Sequence, residues 1–88
     1  MNNTRRKSIT ELASQLDNLA GLIEDIKNSI EEIRDEEQDY FDNMPEGLQG
    51  SDRGSVAEEA ISNLENALNE LEGFDVSDIV GSLESAAE

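Results

Sequence analysis

SITELASQLDNLAGLIEDIKNSIEEIRDEEQDYF, residues 8–41, decides the fold. Its apolar residues Ile9, Leu12, Leu16, Leu19, Ile23, Ile26, Ile30 and Ile33 follow one another in alternating steps of 3 and 4. A strand repeats every second residue, whereas this spacing draws a stripe along one side of an α-helix. With Ile9 at heptad position a, position a holds Ile9, Leu16, Ile23, Ile30 and Glu37; position d holds Leu12, Leu19, Ile26, Ile33 and Tyr40. Isoleucine at both a and d favours more than two helices around a seam. Ala13 and Ala20 at e and Leu22 at g widen the stripe in its first half, which suits a bundle. The eight seam residues are therefore expected to hold a homo-oligomer together.

Both ends of this helix carry signals. Ser8-Ile9-Thr10-Glu11 reads as a capping box, with hydroxyl and carboxylate each satisfying a free N–H of the first turn. It predicts a start at Ser8 and leaves 1–7 as a flexible tail. Asp42-Asn43-Met44-Pro45 ends the helix, because the residue before proline avoids the α region. A helix over 8–42 is on the order of 50 Å long. Gly21, in mid-helix, costs about 1 kcal/mol relative to alanine. On the outer face, Lys27 is expected to pair with Glu24 or Glu31, and Arg34 with Glu31.

Residues 43–54 read as a loop, long for a joint between helices, in which Pro45 can open a short helical turn through Leu48. A second capping box, Ser55-Val56-Ala57-Glu58, opens a helix over 55–72 with Ala57, Ile61, Leu64, Leu68 and Leu71 as its seam and Gly73 as its stop. A third, short helix occupies 74–87, capped at Asp75 or Ser77, with Phe74 expected to plug the core at the joint. The expected fold is all-α and a single domain over 1–88. The long N-terminal helix and loop are followed by two shorter helices that fold back as a helical hairpin, in an oligomeric coiled coil or bundle.

Composition bounds what such a chain can do. Eighty-eight residues bury little core alone, and 22 carboxylates against 6 cations give a net charge of −16. That surface repels nucleic acid and anionic membrane, so direct nucleic-acid binding is not expected. No apolar run approaches the roughly 18 residues that span a bilayer, and no signal peptide is evident, so a cytoplasmic location is expected. With no cysteine and no histidine, neither a disulfide nor an ordinary zinc site is available. The acid run Asp35–Asp39 is helical and splays its carboxylates around the axis, unlike a calcium loop. No cofactor, metal or catalytic group is expected, and the chain reads as a non-enzyme.

The segment 36–54 is where binding chemistry concentrates. It holds Tyr40, Phe41, Asn43, Met44, Gln49, Ser51 and Arg53. Arg53 is the one cation of the C-terminal half and stands beside a helix N-terminus, whose free N–H groups favour an anion. Arginine, such an end and stacking aromatics can together hold a phosphate and a base. The competing explanation is that Arg53 pairs with Asp52, Glu58 or a carboxylate of the first helix, while the aromatics cap the core.

The block from Glu36 through Gly54, followed by an acidic helix, resembles small acidic helical proteins encoded by phages and prophages. The likeness covers about 36–72 and runs through an acidic helix end, the pair Tyr40-Phe41, Asp42-Asn43-Met44-Pro45-Glu46, Leu48-Gln49, and Ser51-Asp52-Arg53-Gly54. The resemblance implies a phage accessory protein acting in the host bacterial cytoplasm, and by analogy one that counters host defence. Three functions compete. In the leading one, an oligomer sequesters a small nucleotide-like immune signal in pockets built from the 36–54 segments. In the second, the acidic rod imitates nucleic acid and blocks a basic host protein. The third is a structural coiled-coil assembly module.

Overall fold

The computed structural model describes all residues, Met1–Glu88. It is all-α: α1 (Asn3–Asp42), α2 (Glu46–Gln49), α3 (Asp52–Glu72) and α4 (Val76–Ala87), with no strand. The long helix, the return and the short C-terminal helix are as the periodicity requires, because each run of apolar residues at helical spacing has a face to bury. Contacts gather the chain into two compact units, 1–25 with 74–88 and 26–73. At 40 residues, or about 60 Å, α1 contributes its first part to one unit and its second part to the other.

Three boundaries differ from expectation. The tail 1–7 is helical from Asn3, since Asn2 Oδ1 accepts from the Arg5 backbone N–H at 2.8 Å and so caps the helix. Ser8 is then an interior residue: its hydroxyl donates to the Thr4 carbonyl at 3.2 Å instead of capping. Likewise α3 starts at Asp52, and Ser55 lies within it, its backbone N–H donating to the Ser51 carbonyl at 3.0 Å. The stretch 43–54 is accordingly mostly ordered helix, consisting of α2 and the first turn of α3 around short links.

In the unit formed by 1–25 and 74–88, α4 runs antiparallel to the start of α1. Arg6 Nε donates to the Ala87 carbonyl at 2.9 Å and its Nη2 to the Glu88 carbonyl at 3.4 Å. A cation thus meets the free carbonyls at the end of α4, where the helix dipole is negative. At the other end of α4, Asp75 is the cap, its Oδ1 accepting from the Ser77 N–H at 2.9 Å. Val76 is buried, while Phe74 is 47% exposed and does not plug the core, contrary to expectation. The backbone at the joint turns Val76 inward, leaving Phe74 outside the first turn of α4.

In the unit 26–73, α3 buries Ala57 (1% exposed), Ile61 and Leu68 (4%), with Leu64 and Leu71 half-buried beside them. This is the seam expected of the second helix. Arg34 pairs with its neighbour Asp35 (Nη2–Oδ1 3.2 Å), not with Glu31 as the spacing suggested. An exposed guanidinium has several carboxylates within reach and little energy separates them.

Within the chain, the face that α1 turns inward is not the a and d stripe that its spacing draws. Ile9, Ala13, Leu16, Ala20 and Ile23, then Lys27, Ile30, Arg34, Glu37 and Phe41, are half-buried, and all are heptad positions a and e. Glu31 and Gln38, at position b, are half-buried beside them. The d residues Leu12, Leu19, Ile26, Ile33 and Tyr40 are exposed, and no residue of α1 is fully buried. At 100° per residue, e lies 40° to one side of a and d lies 60° to the other. One packed layer covers about that width, so the chain's own helices take a with e and leave d out. Small e residues, Ala13 and Ala20, permit close approach in the first unit. In the second, position e holds Lys27 and Arg34, whose long aliphatic stems can be half-buried without burying the charge.

Candidate functional site

The seven candidate binding residues lie at one corner, where α1 ends, α2 makes a single turn and α3 begins. Pro45 stands just before α2 with φ −56° and has no N–H to leave unsatisfied. Its carbonyl accepts from the Leu48 N–H at 2.8 Å and the Gln49 N–H at 3.1 Å, closing that turn. The sequence thus builds the corner locally, from a proline that stops one helix and starts the next.

The structure sorts the candidates into two groups. Met44, Gln49, Phe41 and Ser51 hold the corner together. Met44 is buried, and Phe41 and Gln49 are half-buried. The Gln49 side chain Nε2 donates to the Phe41 carbonyl at 3.1 Å and to the Met44 carbonyl at 3.3 Å, satisfying acceptors at the end of α1. The Ser51 hydroxyl donates to the Leu48 carbonyl in a short hydrogen bond. Tyr40, Asn43 and Arg53 are exposed and form the other group. The Arg53 side chain makes no hydrogen bond or ion pair, so the competing explanation, in which Asp52, Glu58 or an α1 carboxylate holds it, does not apply.

Arg53 lies inside the first turn of α3, not ahead of it. Ser51 occupies the cap position but its side chain makes no capping bond. The first turn of α3 thus has no side-chain cap; it carries Arg53, and Asp52 contributes an opposing charge in the same turn.

One residue of the corner was not singled out from the sequence. Gly54 is buried, and a Cβ there would stand 2.8 Å from Gln49 Cα, 2.5 Å from its carbonyl carbon and closer still to its carbonyl oxygen. Glycine is required by this close approach of two backbones, since its φ is not positive. In sequence Gly54 read as the last residue of the 43–54 loop, where a glycine is ordinary; only its place inside α3 calls for a packing reason. Of the motif that carries the resemblance, Met44, Pro45, Gln49, Ser51 and Gly54 thus build the corner itself.

Elsewhere an open groove of about 200 Å³ lies between α1 and α4, lined by Asp17, Ala20, Val76, Ser77, Val80, Gly81 and Glu84 and by none of the candidates. No group of three or more acidic side chains is placed to hold a metal ion. No helix is long and apolar enough to cross a membrane. Twenty of the 22 carboxylate residues are exposed, with Glu31 and Glu37 half-buried. Compared with known proteins, the chain matches no family model, no curated protein and no solved structure. The fold and the corner define a class no narrower than small acidic helical proteins with an exposed carboxylate surface.

Proposed function

We propose that this chain is a non-enzymatic binding protein that engages a basic surface on a partner protein, as an acidic decoy does. The exposure of 20 of its 22 carboxylates carries the reading. Along α1 the row Asp25, Glu32 and Asp39 repeats every seven residues, which is about 10 Å. Such a row presents a regular line of negative charge to a groove that normally holds phosphates. The resemblance over 36–72 favours a phage accessory protein, so the partner is a basic protein of the bacterial host, with its defence proteins the first candidates.

Displacement tests it. A labelled DNA duplex bound to purified basic host nucleases should be released by micromolar amounts of this chain at about 0.1 M salt, and much less at about 1 M, where the Debye length falls to about 3 Å. The triple variant Asp25→Asn, Glu32→Gln, Asp39→Asn should lose most of that activity. Equal displacement by the variant would refute the acidic face as the binding surface.

Sequestration of a small nucleotide-like signal is the second reading. The uncapped first turn of α3 with the unpartnered Arg53, near Tyr40 and Asn43 at the same corner, favours it. It ranks behind because Phe41, Met44, Gln49 and Ser51, four of the seven residues it enlisted, are spent on the corner. A bound nucleotide at 100 times its Kd stabilises a protein by about 2.7 kcal/mol. Thermal melts with a nucleotide panel should therefore move upward, and Arg53→Ala should cancel the shift. A panel without any shift at millimolar ligand refutes this reading and leaves the first untouched.

A further inference from the structure

We infer that the outward face of α1 is a self-association surface on which a second copy of this chain packs antiparallel, with the two-fold axis near Leu22. This goes beyond the acidic-decoy reading and does not depend on it. Leu12, Leu19, Leu22, Ile26, Ile33 and Tyr40 are each 38–55% exposed. They occupy positions d and g, the side that the chain's own helices leave uncovered. The two remaining members between Leu12 and Ile33, Gln15 and Ser29, are uncharged. In a chain of net charge −16, this row carries no charge over three heptads, while Asp25 and Glu32 at position c stand beside it.

An uncharged stripe within an acidic surface suits a partner of the same sign. A basic partner would be met by carboxylates, whereas a second acidic copy can approach only where charge is missing. The area agrees. Each of the six is 38–55% exposed, so together they leave on the order of several hundred Å² of apolar surface. A standard interface takes about 800 Å² from each partner, and homodimer interfaces are about 65% apolar, so this row supplies a large share of the apolar area such an interface needs. Seven residues beyond Leu22, Ser29 is small enough to let the partner helix come close and its hydroxyl can meet the Gln15 amide of the other copy.

Charge sets the orientation. Residues 3–22 of α1 carry three cations against two carboxylates, net +1, and residues 23–42 carry two cations against nine carboxylates, net −7. The first turn of α1 has no acid and the last turn no base, opposite to the preference of the helix dipole. A parallel pair would stack the two −7 halves. An antiparallel pair centred near Leu22 lays the −7 half of each copy along the +1 half of the other. It brings Arg5 and Lys7 to the level of Glu37 to Tyr40, and sets Leu12 near the level of Ile33 and Gln15 at that of Ser29.

The chain has no cysteine, so single cysteines report this arrangement cleanly. The experiment pairs sedimentation velocity at about 1–100 µM with cross-linking by a short bismaleimide of about 10 Å reach. A dimer is expected. Leu22→Cys should cross-link to itself, Leu12→Cys should not, and a mixture of Leu12→Cys with Ile33→Cys should form the mixed product. In an antiparallel pair the two Leu12 positions stand about 30 Å apart along the axis. The double variant Leu19→Glu, Ile26→Glu alters exposed residues only; its helix signal by circular dichroism should persist while the dimer Kd rises at least about 100-fold. A monomer at about 100 µM, a mass above the dimer, self-linking of Leu12→Cys, or an unchanged Kd in the double variant would each overturn the proposal.

Discussion

Replacing Gly54 by alanine sets two physical effects against each other. Alanine is the better helix former, by about 1 kcal/mol, and Gly54 lies in the first turn of α3. Propensity alone therefore predicts stabilisation. The new Cβ, however, would sit 2.5 Å from the Gln49 carbonyl carbon and 2.8 Å from its Cα, against backbone atoms that cannot rotate away. Van der Waals contact between carbons is about 3.5–4.0 Å, so α2 must move off α3 by roughly 1 Å. That motion pulls at the Gln49 N–H bond to the Pro45 carbonyl (3.1 Å) and at the side-chain bonds to Phe41 and Met44. Overpacking costs about 1–3 kcal/mol and the weakened bonds add about 1 kcal/mol, which leaves a net loss of about 2 kcal/mol after the propensity gain. At about 4–8 °C per kcal/mol for a chain of this size, the melting temperature should fall by roughly 10 °C. Circular dichroism at the helix band, at one fixed protein concentration, measures it. Gly21→Ala is the control: nothing lies within 4 Å of a Cβ there, so it should melt several degrees higher than the original. If Gly54→Ala melted at or above the original chain, the close approach of α2 and α3 would be wrong.

Gln49→Glu should destabilise more than Gln49→Ala, by about 1 kcal/mol in a urea titration. It replaces a donor to two carbonyls with a charge that repels them, whereas alanine merely leaves the carbonyls to water. Arg6→Ala should loosen the end of α4 without affecting α3. Hydrogen exchange should speed up for amides near Ala87 and stay constant around Leu68, and equal acceleration in both helices would contradict the pairing. Asp75→Ala should cost about 1 kcal/mol in the same urea titration, and Asp75→Asn much less, because the asparagine side-chain oxygen can still accept from the Ser77 N–H.

The sequence by itself determined that the chain is helical, where its long helix ends and which face of α3 is buried. Apolar spacing and proline act on the backbone within a few residues, so Ile61, Leu68 and Pro45 could be read without any partner. The true start of α1 was beyond local signals. Ser8-Ile9-Thr10-Glu11 has the wording of a cap, but the helix runs through it to a cap at Asn2, and Arg6 meets the end of α4 81 residues away. The same limit applied to the candidate site. Gln49, Met44 and Ser51 have the chemistry of ligand contacts, and only their spatial neighbours reveal that they close a corner, with Gly54 leaving room for it. For the heptad row, sequence gives the angular positions of Ile9 and Leu12 on the helix but not which of them the rest of the chain covers. That choice belongs to tertiary packing, because one layer of helices is too narrow to cover a, d and e together.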